Sequence, residues 1–387
     1  MQAARDRLAA VRPADYARTR NALDGAATRL SPYLTHGLLS GPEVLRSVLA
    51  AQPLPVQHKL VQELGWRAYF RHVWAHRGDG ILQSLHPGPL PDEAYSRALP
   101  DDVAQARTGV PVIDRAVTTL YDTGWLHNHA RLWLASYLVH LRKLHWRTGA
   151  DWLYGNLLDG DLASNHLGWQ WVAGTGSHKP YLFNADNVQR FAPPDWHSPG
   201  SVLAIGYDEL DRIARDPRPV AAGAALPGVA PPPLLPRPPA DLQAALGITP
   251  PDADLAQGRE VWLVHPWSLG ALPTDLPTDT LVIGVLIDDF HLAWPWSARR
   301  WAFVGARLRA LTPTVWHGSA QAIADALAGA RCVCTLDEPH ATPWLGRWAE
   351  TLPGEALFPA VAPRCDSFSR WWARSTRGLR DAGELLS

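Results

Sequence analysis

The segment DGDLASNHLGWQW, residues 159–171, places two carboxylates, an asparagine and two tryptophans side by side. If a helix begins near Asp161, then Asp161, Asn165 and Trp169 are spaced i, i+4 and i+8 and share one face. A buried carboxylate requires a cation or several hydrogen bonds, which arginines near positions 67 and 131 can supply. Taken alone, the segment favours a structural interpretation, in which Asp159 or Asp161 caps the helix and the tryptophans are core residues.

The sequence around this segment is typical of helices. From 15 to about 213 we find helical patterns joined by short polar turns, without sustained alternation of apolar and polar residues. Apolar residues cover nearly every face of a helix within 126–144, which predicts that it is buried on most sides. Pro111 near one helix start and Gly124 at its end follow the usual preference of these residues.

The second half of the chain has a different pattern. Residues 214–257 are rich in proline and alanine and predict a linker. Strand-length apolar runs then alternate with amphipathic helices, as in EVWLVHPW (260–267), TLVIGVLID (280–288) and SARRWAFVGARLRALT (297–312). This alternation predicts a small Rossmann-like α/β domain with a parallel sheet. The overall prediction is a mainly α protein with a helical domain at 1–213, a linker at 214–257 and an α/β domain at 258–387.

Composition limits the classes of function. The chain has 387 residues, a formal charge of −1, 3 cysteines and 19 tryptophans. So few cysteines argue against a secreted disulfide framework, and the longest apolar run is too short to span a bilayer, so we expect a cytoplasmic protein without a membrane segment. Cys332 and Cys334 share a strand face and are predicted to be buried core thiols rather than a metal pair, and no metal site is expected.

Four segments together resemble the flavin-binding helical domain of the DNA photolyase and cryptochrome family. They are TRLSPYL within 27–40, QELGWR within 62–74, TGWLHNHAR within 123–136, and DGDLASNHLGWQW at 159–171. The resemblance extends from about Tyr16 to Phe191, roughly half of the chain. It implies FAD as the cofactor and an all-helical fold for this part.

The resemblance also assigns residues to the cofactor. It implies that Tyr16 and the turn of Ala27, Thr28, Arg29, Leu30 and Ser31 hold the FAD diphosphate, since hydroxyls, backbone N–H groups and an arginine suit phosphate. The isoalloxazine and ribityl groups are expected to lie among six further side chains, with Asn165 beside the flavin nitrogen that is protonated on reduction and Asp159 paired with Arg131. These six are Arg67, Asn128, Arg131, Asp159, Asp161 and Asn165.

Trp146 and Trp169 match the inner members of the family's electron-transfer chain. The stretch 89–108 lacks the tryptophan expected for the outer member, so Tyr95, Trp133, Trp152 or no residue fills that role. Core packing of Trp146 and Trp169 is compatible with electron transfer.

Substrate residues follow from the same resemblance. Trp66 and Trp171 match the pair that stacks on a flipped pyrimidine dimer, and Glu63 matches the acidic residue that hydrogen-bonds it. The implied partner is single- or double-stranded DNA containing pyrimidine dimers, with Arg71 and Lys179 as further phosphate contacts. The complete set of predicted DNA-binding residues is Glu63, Trp66, Arg67, Asn128, His129, Leu132 and Trp171.

The chain also departs from the family pattern. We expect this protein to lack the α/β antenna domain that usually precedes the flavin domain, and we expect the segment 258–387 to be either a relocated antenna-like domain, whose chromophore we leave unspecified, or an unrelated module. Leu60 and Leu132 replace a tryptophan and a methionine that are frequent in relatives. Repair of cyclobutane pyrimidine dimers by reduced FAD in blue light is the expected function. A cryptochrome-like photoreceptor without repair activity is the alternative, and a flavin-binding structural remnant is a third.

Overall fold

The computed structural model describes residues 1–221 and 227–387, which form two compact units. One unit contains the sheet and is made of Met1–Leu8, Leu30–Val44 and Pro233–Leu357. The other is helical and is made of Ala9–Arg29, Leu45–Pro232 and Phe358–Ser387. The predicted domains were continuous in sequence, whereas both observed units are assembled from three separate segments. In particular, the last thirty residues or so group with the helical unit and not with the α/β unit.

Helices dominate the described chain. The α-helices are α1 Gln2–Ala9, α2 Pro13–Thr19, α3 Ser31–Thr35, α4 Gly41–Ala51, α5 Lys59–Arg77, α6 Asp101–Ala104, α7 Pro111–Thr123, α8 Asn128–Ser136, α9 Trp146–Asn156, α10 Leu162–Ala173, α11 Ala185–Phe191, α12 Tyr207–Ala214, α13 Ala240–Leu246, α14 Ala253–Ala256, α15 Asp288–Ala293, α16 Ala298–Leu311, α17 Ala320–Leu327, α18 Thr342–Leu345 and α19 Phe368–Ser375. Short 3₁₀ turns cover Gly78–Leu82, Asp92–Ala94, Pro194–Trp196 and Ala382–Leu386, and a π-turn covers Tyr137–Leu141.

The core of the helical unit is centred on α8 and its π-turn. Trp133, Leu134 and Leu138 have no solvent exposure, so the predicted burial on most sides is confirmed. Pro111 is the first residue of α7, and Gly124 ends that helix in a left-handed conformation with φ 66°. These two residues therefore set the length of the helix that packs on α8.

Strands of the α/β unit form the predicted parallel sheet. They are β1 Leu234–Leu235, β2 Ile248–Thr249, β3 Glu260–Val264, β4 Leu281–Ile287, β5 Trp296–Ser297, β6 Val315–Gly318, β7 Cys332–Leu336 and β8 Glu350–Leu352. The main sheet has the order β2-β6-β4-β3-β7-β8 with every pair parallel, and β1 pairs with β5 antiparallel. Helix α16 connects the neighbouring parallel strands β4 and β6, and α17 connects β6 to β7, which lie two strands apart from each other in the sheet order. The alternation seen in the sequence is therefore a series of βαβ crossovers.

Part of the predicted linker is regular structure. Segment 214–257 contains β1, α13, β2 and α14, while its residues 222–226 lie outside the described ones. Leu246 at the end of α13 packs against Gly305, where any Cβ would lie 2.3 Å from its Cδ1. Ile248 pairs with Val315 at the sheet edge. These contacts order a proline-rich segment whose composition alone predicts an extended chain.

The predicted burial of Cys332 and Cys334 is wrong. Cys332 is exposed and Cys334 is half-buried, because β7 presents this end of the strand to solvent instead of the core. No group of three or more His, Cys, Asp or Glu side chains suited to a metal ion is found among residues 1–221 and 227–387. No helix in the described ranges is long and apolar enough to cross a membrane.

Candidate functional site

Asp161 begins α10 and anchors two arginines of α5. Its carboxylate accepts a hydrogen bond from the Ser164 backbone N–H at 2.9 Å, which is the predicted helix cap. The second oxygen lies 2.9 Å from Arg71 and 3.8 Å from Arg67. Asp161 is only 2% exposed, so these cations provide the compensation that a buried carboxylate requires. Arg71 therefore holds Asp161, and its predicted contact with DNA stays a prediction.

Asp159 forms the second buried ion pair. Both of its oxygens accept from the Arg131 Nη2 group, at 3.0 and 2.7 Å, and the predicted pair is therefore present. The Nε of Arg131 donates to the Leu126 carbonyl at 3.0 Å, which fixes the guanidinium at the start of α8. A planar group held at both ends is positioned to direct its remaining donors at a ligand.

The donors around these carboxylates suit an anionic, polar ligand. Arg67, Arg71 and Arg131 keep about a quarter of each side chain exposed although their carboxylate partners are buried. Asn128 is exposed, and half-buried Asn165 donates its amide N–H to the Ala150 carbonyl at 2.8 Å. Guanidinium and amide groups of this kind fit the phosphate, hydroxyl and ring heteroatoms of FAD.

The turn predicted to hold the diphosphate has a strained backbone. Arg29 adopts a left-handed conformation with φ 52°, which costs free energy for a residue with a side chain. Its guanidinium lies 4.7 Å from the centre of the Trp125 ring. Ala27 and Thr28 are half-buried beside it in the helical unit, whereas Leu30 and Ser31 group with the α/β unit.

Tyr16 and Glu63 form a hydrogen-bonded pair between α2 and α5. Glu63 is solvent-accessible, yet the surrounding protein desolvates its carboxyl and raises the pKa, while the bond to Tyr16 and the charge of Arg20 act in the opposite direction. Burial and the nearby Glu63 raise the pKa of Tyr16 as well, so its hydroxyl stays protonated. Tyr16 therefore donates to Glu63, and the raised pKa favours a protonated carboxyl that can itself donate.

The two predicted stacking tryptophans lie on packed helices, Trp66 on α5 and Trp171 on α10. Trp171 is 42% exposed and has Tyr181 as a ring neighbour at 5.4 Å. Trp66 is half-buried, and Phe368 of the C-terminal helix α19 stacks on it at 4.0 Å with an interplanar angle of 9°. Trp171 thus presents a large apolar surface to solvent, and one face of Trp66 is already covered.

The remaining predicted DNA-binding residues lie near the start of α8. Leu132 and His129 are both half-buried, and the His129 ring is 5.2 Å from Phe191. The His129 N–H donates to Nδ1 of His127, which is the local helix-end hydrogen bonding that the sequence also allowed.

Rings around Trp146 extend toward the surface. Trp146 is buried, donates its indole N–H to Ser84 at 2.9 Å, and stacks on His145 at 5.9 Å. His145 in turn meets Tyr95 edge-on at 6.4 Å. Trp133 stacks on Phe183, and Trp152 meets Tyr121. Of the three candidates for the outer position, Tyr95 is the one joined to Trp146 by ring contacts among the described residues.

Gly149 permits the close packing of Trp169 on α9. A Cβ at this position would lie 2.4 Å from two atoms of the Trp169 ring. We expect Gly149→Ala to lower the free energy of unfolding by about 1–3 kcal/mol, because the buried ring must shift. Gly168→Ala on α10 is the matched control: nothing lies within 4 Å of its Cβ, so helix propensity should leave stability equal or slightly higher. Denaturant unfolding measures both, and equal effects would show that the contact is unimportant.

His127 makes stability dependent on pH. It is buried, its Nε2–H donates to the Arg20 carbonyl at 2.9 Å, and burial lowers its pKa from 6.5 to about 4. The neutral form is therefore favoured by folding, so its contribution is complete above pH 6.5 and is lost as the pH falls toward 4. As the pH falls from 6.5 to 4, we expect the free energy of unfolding of His127→Asn to decrease by about 3 kcal/mol less than that of the wild type. Denaturant unfolding at several pH values measures this difference. The same pH dependence of the free energy of unfolding in both proteins would contradict the assignment.

Comparison with known proteins finds that the helical unit is similar to DNA photolyases and cryptochromes. Residues 60–194 match the family described as "FAD binding domain of DNA photolyase". The chain is 38% identical to the deoxyribodipyrimidine photo-lyase of Streptomyces griseus over 42% of its length, and 31% identical to cryptochrome-1 of Arabidopsis thaliana over 52%. It spans 36% and 31% of these two relatives. Among solved structures, a Synechocystis cryptochrome is similar with a TM-score of 0.43 and 28% identity, covering 49% of this chain and 42% of its own. The predicted resemblance and the predicted FAD cofactor are confirmed.

Three residues of the site were not predicted in their observed roles. The ion pair of Arg71 with Asp161 was not predicted, although the i+4 spacing of Arg71 from Arg67 was an available signal. His145 and Phe368 were missed, because a ring contact between segments distant in sequence leaves no local pattern.

Proposed function

We propose that this protein uses FAD and blue light to repair cyclobutane pyrimidine dimers in DNA, on the premise that its helical unit, which matches the FAD binding domain of DNA photolyase over residues 60–194, is a member of the DNA photolyase and cryptochrome family. The observation that carries the proposal is the joint presence of a carboxyl with raised pKa at Glu63 and a widely exposed indole at Trp171, on two helices that also carry the buried ion pairs.

Cofactor binding is assigned to the charged residues between α5, α8 and α10. Arg67, Arg71 and Arg131 hold phosphate and ribityl oxygens, and the buried Asp159 and Asp161 keep their guanidinium groups in place. The bond from Asn165 to Ala150 orients its amide so that the oxygen is left to accept from a ring N–H. When bound and reduced, FAD supplies the light-excited electron donor that dimer cleavage requires.

Substrate binding is assigned to the aromatic and acidic residues beside this site. Trp66 and Trp171 offer stacking surfaces worth roughly 1–3 kcal/mol per base, which offsets the cost of flipping a damaged base out of the helix. Glu63, whose pKa is raised by desolvation, is assigned to hydrogen-bond a base carbonyl on which negative charge develops. The net charge of −1 leaves phosphate contact to local cations such as Lys179, so affinity for DNA should fall with salt.

Electron supply from the surface is assigned to a run of rings. Trp169 packs on α9 one turn from Trp146, and His145 joins Trp146 to Tyr95. We assign Tyr95 as the outer donor, since it is half-buried and adjacent to this run.

A repair assay tests the proposal. The protein is reconstituted with FAD, reduced, and mixed with an oligonucleotide that contains one thymine dimer, in blue light and in the dark. We expect intact thymines to be recovered in the light only. Flavin absorbance that responds to light without any repair would overturn the proposal and favour the photoreceptor alternative.

A further inference from the structure

The C-terminal segment 358–387 groups with the helical unit, although it lies far beyond residues 60–194. This segment packs along α5 and the residues just before it, with several polar contacts. Cys365 N–H donates to His72 at 3.1 Å, Arg77 pairs with Asp366 at 3.2 Å, His76 lies 2.9 Å from the Ala362 carbonyl, and the Trp372 indole donates to Gln57 at 3.1 Å. This segment is therefore an integral part of the unit that contains the candidate site.

Helix α19 approaches α5 at a glycine. A Cβ on Gly65 would lie 2.4 Å from Cζ3 of Trp372 and 3.5 Å from Phe368, so only glycine permits this approach without a shift of the indole. The neighbouring residue on α5 is Trp66. The small residue thus brings an aromatic helix against the predicted stacking tryptophan.

Phe368 has a distinct geometry at Trp66. Its ring is parallel to the indole, with 4.0 Å between centroids and 9° between planes. Tyr69 meets the same indole edge-on at 80°, and Phe70 is tilted by 40°. Among the described ring neighbours of Trp66, Phe368 is therefore the one that covers an indole face.

We propose that Phe368 is a positioning residue for substrate, which fixes the plane of Trp66 and leaves one indole face for a flipped pyrimidine base. The inference rests on the proposed function and deepens it. An indole without this backing has several side-chain rotamers, and ordering it on binding would cost free energy. A preformed stack removes that cost before the base arrives. The C-terminal helix then contributes to base recognition although its own residues do not touch the base.

The test compares three variants in the FAD-loaded protein. Phe368→Leu keeps an apolar side chain but removes the ring, Phe368→Tyr restores a ring, and Phe358→Leu is the control, because Phe358 contacts Trp371 and Trp372 in the same segment. The dissociation constant for single-stranded oligonucleotides with and without a thymine dimer is measured in the dark by fluorescence anisotropy. FAD content and thermal unfolding are measured alongside.

We expect Phe368→Leu to weaken binding of the dimer strand roughly tenfold, which is about 1.4 kcal/mol. Binding of the undamaged strand and FAD content should be unchanged, and Phe368→Tyr and Phe358→Leu should behave as the wild type. In repair, the KM for the dimer strand should rise while kcat at saturation is retained.

Two results would overturn the inference alone. Unchanged selectivity in Phe368→Leu would show that Trp66 needs no support, and tighter binding would show that Phe368 occupies the face used by the base. A wild-type protein without preference for the dimer strand would refute the proposed function as well, and that result is visible before any variant is examined.

Discussion

Replacing Asp161 by asparagine is expected to raise the dissociation constant for FAD roughly a hundredfold while α10 stays folded. Asparagine can still accept from the Ser164 N–H, so the helix cap is kept. The charge that holds Arg71 and Arg67 is lost, and breaking a buried pair in this way costs about 3 kcal/mol. Because these arginines are assigned to FAD, most of that cost should appear as weaker cofactor binding.

Two further variants separate the roles of Asp161. Asp161→Ala removes the cap as well and should lower the free energy of unfolding by about 1 kcal/mol beyond the asparagine variant. Asp211→Asn disrupts an exposed pair with Arg215 on α12 and should change neither FAD binding nor stability by more than about 0.5 kcal/mol. Flavin fluorescence titration and denaturant unfolding measure the two effects. If Asp161→Asn binds FAD as tightly as the wild type, the ion pair serves the fold alone.

Replacing Glu63 by glutamine is expected to reduce the rate of dimer repair about 10- to 100-fold without loss of FAD. Glutamine is close in shape and can still accept from the Tyr16 hydroxyl, but it is a weaker donor than a carboxylic acid. Hydrogen bonds to a charged group contribute about 1.5–3 kcal/mol, which corresponds to this range of rates.

The pH dependence distinguishes this role from a structural one. The pKa of Glu63 is raised above 4.5, so the native state retains the proton to higher pH than the unfolded state does. The contribution of this group to stability is therefore lost as the pH rises from 4.5 through the folded-state pKa. The rate of repair, which needs the protonated form, should fall as the pH passes the folded-state pKa. In Glu63→Gln the rate of repair should no longer depend on pH in this range, and the variant should be at least as stable as the wild type at neutral pH. A variant that is both slower and less stable would indicate a structural role.

The parallel sheet was predictable because its central strands are continuous apolar runs. β3 and β4 are buried along nearly their whole length, and such strands are recognisable without knowledge of their partners. The edge strand β2 has only two residues and follows a proline-rich stretch, so no local pattern marks it. The burial of Cys332 was predicted wrongly for a related reason, because Cys332 is the first residue of β7 and this end of the strand is exposed.

The charged centre of the site was predictable, and its aromatic surroundings were not. Asp159 and Arg131 were expected to pair, because buried carboxylates require cations and the resemblance supplied the partner. Phe368 lies about three hundred residues from Trp66, and its stack depends on how α19 packs on α5. Such contacts are set by tertiary packing, which single-sequence periodicity does not encode.

The most direct test of this account is a titration of the purified chain with FAD in the dark, followed by flavin fluorescence and repeated with Arg131→Ala. The account predicts saturable binding of one FAD per chain and at least tenfold weaker binding by the variant, because Arg131 is held at both ends beside Asp159. Absence of saturable binding, or equal affinity in the two proteins, would contradict the assignment of this site to FAD and every proposal that depends on it.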